Sequence, residues 1–177
     1  MNIAHLAIGG LTQDTDRVTG TIRLWLERLR PLEREGCFTA WYPWCQDWQY
    51  VAGLLSALGI KRVSVASYSY GAGIGWPRLC RALEGHGINV PYSTLSDPVP
   101  RWWKTALHLH RYAIPKPVNA SYVHVFRQER DWIRGHQVVG MAKESIIKAH
   151  FHDGMDDADE FHLAAEWNAK LLTKEAA

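Results

Sequence analysis

Cysteine is scarce: Cys37, Cys45 and Cys80 are the three in a chain of 177 residues. Three thiols cannot all pair, and no two stand in CxxC spacing. That excludes a disulfide framework and a zinc ribbon, and leaves packing thiols suited to a reducing compartment. Long apolar runs are missing too. Nothing approaches the ~18 consecutive apolar residues of a membrane span, and Met1-Asn2-Ile3-Ala4-His5-Leu6 is not a basic stretch leading into a secretory core, so a cytoplasmic protein without integral membrane contact is expected. An excess of one charge is also lacking. The 20 Lys and Arg against 18 Asp and Glu leave +2, too little for a surface that neutralises phosphates, so nucleic acid is not an expected partner. No internal repeat, low-complexity tract or linker interrupts the chain.

What is present fits a single globular domain over residues 1–177, given roughly 150 residues per domain. Apolar residues make up 47% and charged residues 21%, enough to form a core without a metal or disulfide staple. Tryptophan is over-represented, nine against four Phe. Because Trp is large and amphipathic, some of these rings are expected to line a cleft.

The apolar spacing alternates between strand and helix. Ile3 to Ile8 reads as a strand ending at Gly9-Gly10. Val18, Ile22, Leu24, Trp25, Leu26 and Leu29 follow at helical spacing, with Pro31 closing that helix. Cys37 to Tyr42 is a second strand. Asp47 caps a helix over Trp48 to Leu58, with Gly59 at its C′ position. Arg62 to Ala66 is a third strand, Tyr70 to Glu84 a helix, Ile88 to Leu95 a fourth strand, Tyr122 to Phe126 a fifth and Ser145 to Ala149 a sixth. An amphipathic helix over Asp159 to Leu172 closes the chain. The stretch 99–118, with Pro100, Pro115, Pro117, Trp102 and Trp103, is the least regular and is a candidate lid or insertion. This order predicts an α/β fold: a mostly parallel sheet of about six strands with helices on both faces and ligands beyond the strands' carboxyl ends.

At the end of the third strand stands Ser67-Tyr68-Ser69-Tyr70-Gly71. This is small-x-Ser-x-Gly between a strand and a helix. A sharp strand-to-helix bend crowds the positions two before and two after its centre, so only small residues fit there, and the Ser69 hydroxyl is left above the helix N-terminus. The N–H of Tyr70 would face an oxyanion formed by attack at Ser69.

From these residues the chain resembles the α/β-hydrolase family, over the span from Ile3 to the final helix, with Ser67 in place of the commoner first glycine. The resemblance implies a three-layer sandwich with a minimal lid and a serine nucleophile, followed in chain order by an acid and a histidine. Asp97, at the end of the next strand, is the implied acid. The family more often places it one strand later, where Glu129 and Asp131 stand, and Asp131 is the alternate. The implied base is His152, with Met155, Asp156 and Asp157 behind it; His150 is its alternate and would end the sixth strand. The loop Gly9-Gly10-Leu11-Thr12 supplies the second oxyanion donor, the N–H of Leu11 with Gly10 next.

Other constellations are weaker. His150, His152, Asp153, Asp156 and Asp157 could be read as metal ligands, but the acids are more simply the solvated start of the last helix. His108 and His110 are two apart and would diverge on a helix. Trp41, Trp44 and Trp48 could form a stacking platform, although packing explains them more simply.

The expected activity is ester or thioester hydrolysis through an acyl-enzyme, without metal or organic cofactor. The expected partner is a small-molecule or lipid-like ester, with Tyr68, Trp76, Trp102 and Trp103 as an aromatic cleft. Amide or peptide cleavage by the same residues, or a non-catalytic binding protein on this fold, are the rival readings.

Overall fold

Every residue of β1 (Ile3–Ile8) is buried, as a strand covered on both faces requires. Ala4, Leu6 and Ile8 enter one core while Ile3 and Ala7 enter another, which is the period-two alternation of a strand between two layers. The computed structural model describes residues 2–11, 13, 18–100, 113–131 and 133–176. Trp102, Trp103, His108 and His110 lie outside these, as does most of the 99–118 stretch.

After β1 come α1 (Gly20–Leu24), a wide π-type turn over Trp25–Leu29 and a 3₁₀ segment over Arg30–Glu35. Then follow β2 (Phe38–Tyr42), α2 (Trp48–Ala57) and β3 (Arg62–Tyr68). A second π-type turn, Gly71–Gly75, leads into α3 (Trp76–Gly85) and β4 (Asn89–Ser96). Two short strands, β5 (Ile114–Pro115) and β7 (Val138–Val139), flank β6 (Ala120–Arg127). The last elements are β8 (Lys143–Ile146), a 3₁₀ turn over His152–Gly154 and α4 (Asp159–Ala176).

Six strands form one sheet in the order β2-β1-β3-β4-β6-β8, and every neighbouring pair is parallel. The sheet and its helices place the chain in the α/β class. Buried residues of α2 and α3, among them Val51, Leu55, Trp76 and Leu79, pack on one face. Leu24 of α1, Leu29 and Leu32 after it, and Phe161, Ala165 and Leu172 of α4 cover the other. The order reverses direction between β1 and β3, so the crevice of this topology lies beyond their carboxyl ends. Among the described residues, no helix is long and apolar enough to cross a membrane.

Several expectations need correcting. Pro31 does not stop the first helical stretch; it occupies the start of the 3₁₀ segment, where its missing N–H would go unpaired in any case. The sixth strand is Lys143–Ile146 rather than Ser145 to Ala149, because the register with β6 runs from His124–Lys143 to Arg127–Ile146, where β6 itself ends. The pairing of β5 with β7 was not foreseen from two-residue segments. Trp76 is fully buried and its indole N–H donates to Ser93 Oγ at 3.0 Å, so it belongs to the core and not to a cleft. Trp167, by contrast, is 65% exposed on α4. Cys45 is exposed, while Cys37 and Cys80 are buried.

Candidate active site

β3 runs straight into the bend. Ser69 follows its last residue with φ +51°, a left-handed conformation that costs a non-glycine residue about 1–2 kcal/mol. The surroundings impose it. The Ser69 N–H donates to the Ser96 carbonyl at 2.9 Å, and the Ser69 carbonyl accepts from Gly73 at 2.8 Å and Val99 at 3.0 Å. A Cβ on Gly71 would lie 2.5 Å from the Gly9 carbonyl oxygen and 2.7 Å from that of Ile8, so the position two after Ser69 must be small. Ser67 is fully buried on the other side of the bend.

The Ser69 hydroxyl meets His152 Nε2 at 3.0 Å, and His152 Nδ1 meets Asp97 Oδ2 at 2.5 Å. A carboxylate only accepts, so Nδ1 carries the proton and Nε2 is left to accept from the hydroxyl. Asp97 is fully buried and has φ +45°. Its Oδ1 accepts from the Gly135 N–H at 2.8 Å and the Gln128 N–H at 3.2 Å, and its Oδ2 accepts from Gln128 Nε2 at 3.3 Å. These donors compensate the desolvation of the charge. A Cβ on Gly135 would stand 2.6 Å from Asp97 Cα, so only glycine admits this approach.

The histidine turn is held from beneath. Tyr68 Oη donates to the His152 carbonyl at 2.7 Å and Ser96 Oγ donates to the Met155 carbonyl at 2.8 Å. Burial, followed by the nearby carboxylates led by Asp156, raises the Tyr68 phenol above its ordinary range and keeps it a donor. Tyr68 is therefore a buried support of the histidine rather than a cleft wall. At the elbow's surface, Trp44 sits edge-on to Tyr70 with ring centroids 5.4 Å apart.

The alternates stand elsewhere. The Asp131 N–H donates to Gln128 Oε1 and its carbonyl accepts from Arg134, so the loop expected to donate the acid instead holds Asp97 through Gln128 and Gly135. His150 packs its ring against Gly154 in the turn beyond β8, not at the end of a strand. Gly10 lies against Ser69, since a Cβ there would be 3.2 Å from Ser69 Cβ. Its N–H, however, donates to Gln13 Oε1 at 3.1 Å, which removes Gly10 as an oxyanion donor and leaves Leu11 from that loop. Asp156 is not solvated at the start of the last helix: it is 6% exposed, and burial, then the charge of Asp157, pushes its carboxyl up to about 6. Among the described residues, no group of three or more His, Cys, Asp or Glu side chains converges as metal ligands would.

Gln13, Gln128 and Gly135 escape sequence reasoning because each is an ordinary loop residue whose partner lies far along the chain. A separate groove of about 590 Å³ runs between α4 and the β6–β8 edge, past His124, Lys143, Lys148 and Glu160; none of Ser69, Asp97 or His152 lines it. No protein-family model and no curated protein matches the chain. Its functional class therefore rests on the α/β sheet and on the hydroxyl, imidazole and carboxylate gathered at the ends of β3 and β4 and before α4.

Proposed function

We propose that the protein is a serine hydrolase of the α/β-hydrolase type that cleaves a carboxylic ester or thioester. One observation carries this reading: Ser69 Oγ, His152 and Asp97 form an unbroken hydrogen-bonded chain of 3.0 and 2.5 Å. A serine hydroxyl is a weak nucleophile at neutral pH, and an imidazole held in one tautomer by a buried carboxylate activates it.

In the first step Ser69 Oγ attacks the acyl carbon as its proton passes to His152 Nε2, and Asp97 stabilises the imidazolium. The negative oxygen of the tetrahedral intermediate is received by the N–H groups of Tyr70 and Leu11, backed by the helix that follows the elbow. Each such donor contributes about 10²–10³ in rate. Collapse breaks the bond to the alcohol or thiol, which leaves with the proton from His152. Water then repeats the sequence on the acyl-serine and releases the acid. Trp44 and Tyr70 beside the nucleophile favour an apolar acyl or aryl group.

Treatment with a fluorophosphonate probe followed by peptide mass spectrometry tests this directly. Ser69 is expected to carry the label, and Ser69→Ala to lose both the label and turnover of a short p-nitrophenyl ester. An unlabelled Ser69 in folded protein, or full turnover by the alanine variant, would overturn the reading.

A further inference from the structure

Two side chains outside the triad join the loop beside Ser69 to the turn that carries His152. The Gln13 amide bridges them. Its Oε1 accepts the Gly10 N–H at 3.1 Å and the Thr21 hydroxyl at 2.5 Å, and its Nε2 donates to Asp156 Oδ2. Thr21 is itself fixed by the Trp41 indole N–H at 3.0 Å. Asp156 lies four residues beyond His152, and its carbonyl accepts from His162 Nε2 at 2.6 Å. The neighbouring Asp157 accepts the Gly20 N–H at 2.9 Å, so consecutive acids tie the β1–α1 connection to the histidine turn.

The fit around the bridge is close. Gly20 has φ +54°, and a Cβ there would overlap both Gln13 Nε2 and Asp156 Oδ2; one on Gly9 would stand 2.9 Å from Gln13 Oε1. Two glycines on separate segments thus leave room for one amide. The carboxylate cannot donate, so it sets which end of that amide faces it. Only in that orientation does the carbonyl oxygen face Gly10.

Resting on the hydrolase reading, we propose that Gln13 and Asp156 are positioning residues for the oxyanion loop. Asp156 orients the Gln13 amide, Gln13 pins Gly10, and the next N–H, that of Leu11, is held in register with the base. The pair touches no substrate. It acts by keeping a transition-state donor in place before the reaction, the condition under which such donors are effective.

Gln13→Ala is expected to lower kcat for a short p-nitrophenyl ester by about 10–100-fold with KM changed by less than about threefold, the pattern of an interaction felt in the transition state. Gln13→Glu sets a second carboxylate against Asp156 and is expected to lose at least as much. Adding Asp156→Asn supplies an amide donor to the new Glu, whose carboxylate again takes the Gly10 N–H, and recovery to within about fivefold of wild type is expected. Amide hydrogen exchange at Gly10, read by NMR, gives a measure independent of turnover: Gln13→Ala should speed it by about tenfold or more. Unchanged kcat in folded Gln13→Ala, or a double variant no better than Gln13→Glu, would overturn the proposal. If wild-type protein neither takes the fluorophosphonate nor turns over the ester, the hydrolase reading falls and the exchange rate alone decides: faster exchange at Gly10 supports the tether, unchanged protection removes it.

Discussion

Ser69 and Asp97 share an uncommon backbone state, with φ of +51° and +45°. Neither is glycine, and each is held by hydrogen bonds to a neighbouring strand: Ser69 to the Ser96 carbonyl and Asp97 to the Phe126 carbonyl. Strain of this kind persists only where the surroundings over-determine it. Stability should therefore record it. Ser69→Gly and Ser69→Ala both remove the hydroxyl, yet only glycine relaxes the backbone, so Ser69→Gly is expected to be the more stable by about 0.5–1 kcal/mol after the larger entropy of its unfolded chain is subtracted. Urea denaturation of the two variants measures this, and a Ser69→Ala variant more stable than Ser69→Gly by the glycine entropy alone would mean that the elbow carries no strain. At this scale the meeting of Ser69, Asp97 and His152 was legible in two ways: Ser69 from the small-residue bend at a strand end, Asp97 and His152 from the chain order that the α/β-hydrolase resemblance implies. Trp76 was misread because residue type does not say which face of a helix it occupies. Asp156 was misread because its burial is decided by Gln13 and α1, more than a hundred positions away.

The elbow is an element as much as a residue. The π-type turn Gly71–Gly75 is built from GAGIG, and its small residues bring backbones together. Gly73 lies so close to β4's outgoing chain that a Cβ would stand 2.6 Å from Pro100 N. At the far end of the same helical run, Gly85 has nothing within 4 Å of its Cβ position. The two glycines should respond oppositely. Gly85→Ala is expected to stabilise by about 0.5–1 kcal/mol through helix propensity and a less flexible unfolded chain. Gly73→Ala is expected to lose about 2–4 kcal/mol, as overpacking against rigid backbone does. Thermal melts of the pair decide it, and similar behaviour would show that the turn yields more easily than its contacts imply. Strands and helices were largely readable because periodicity and caps are encoded within each segment. The Asp47 cap is one example, its carboxylate accepting from Gln49 and Tyr50. Element ends were less so: β8 stops where its partner β6 stops, and Pro31 fits a 3₁₀ continuation that periodicity does not announce.

Across the whole molecule, a sheet buried on both faces carries a few polar side chains inside, and these tie stability to pH. His5 bonds Ser64 and Thr173, and burial lowers it from its ordinary 6.5 to about 4; His124 is lowered as far, by burial and then by Lys143. Between pH 6.5 and 4 the unfolded chain binds protons at these sites that the folded protein refuses, so stability is present above 6.5 and falls as pH drops through the window. Asp156 works the other way: its carboxyl rises from 3.8 to about 6, so the folded state gains from protonation there. Two histidines outweigh one carboxyl at about 1.4 kcal/mol per pKa unit. The urea midpoint is expected to fall between pH 7.5 and 4.5, and His5→Gln to flatten that slope; an unchanged slope would remove His5 as a cause. The parallel architecture was legible from the strand–helix alternation. These interior histidines were not, since neither lies in a motif.

His152 reaches its partners across long stretches of chain, 83 positions from Ser69 and 55 from Asp97. A chain that has emerged only as far as Asp97 owns, on the hydrolase reading, a nucleophile and an acid but nothing to move a proton. On the hydrolase reading, colour released from a chromogenic ester is then a census of finished molecules, counting only those in which the last helix has docked and the first loop has closed.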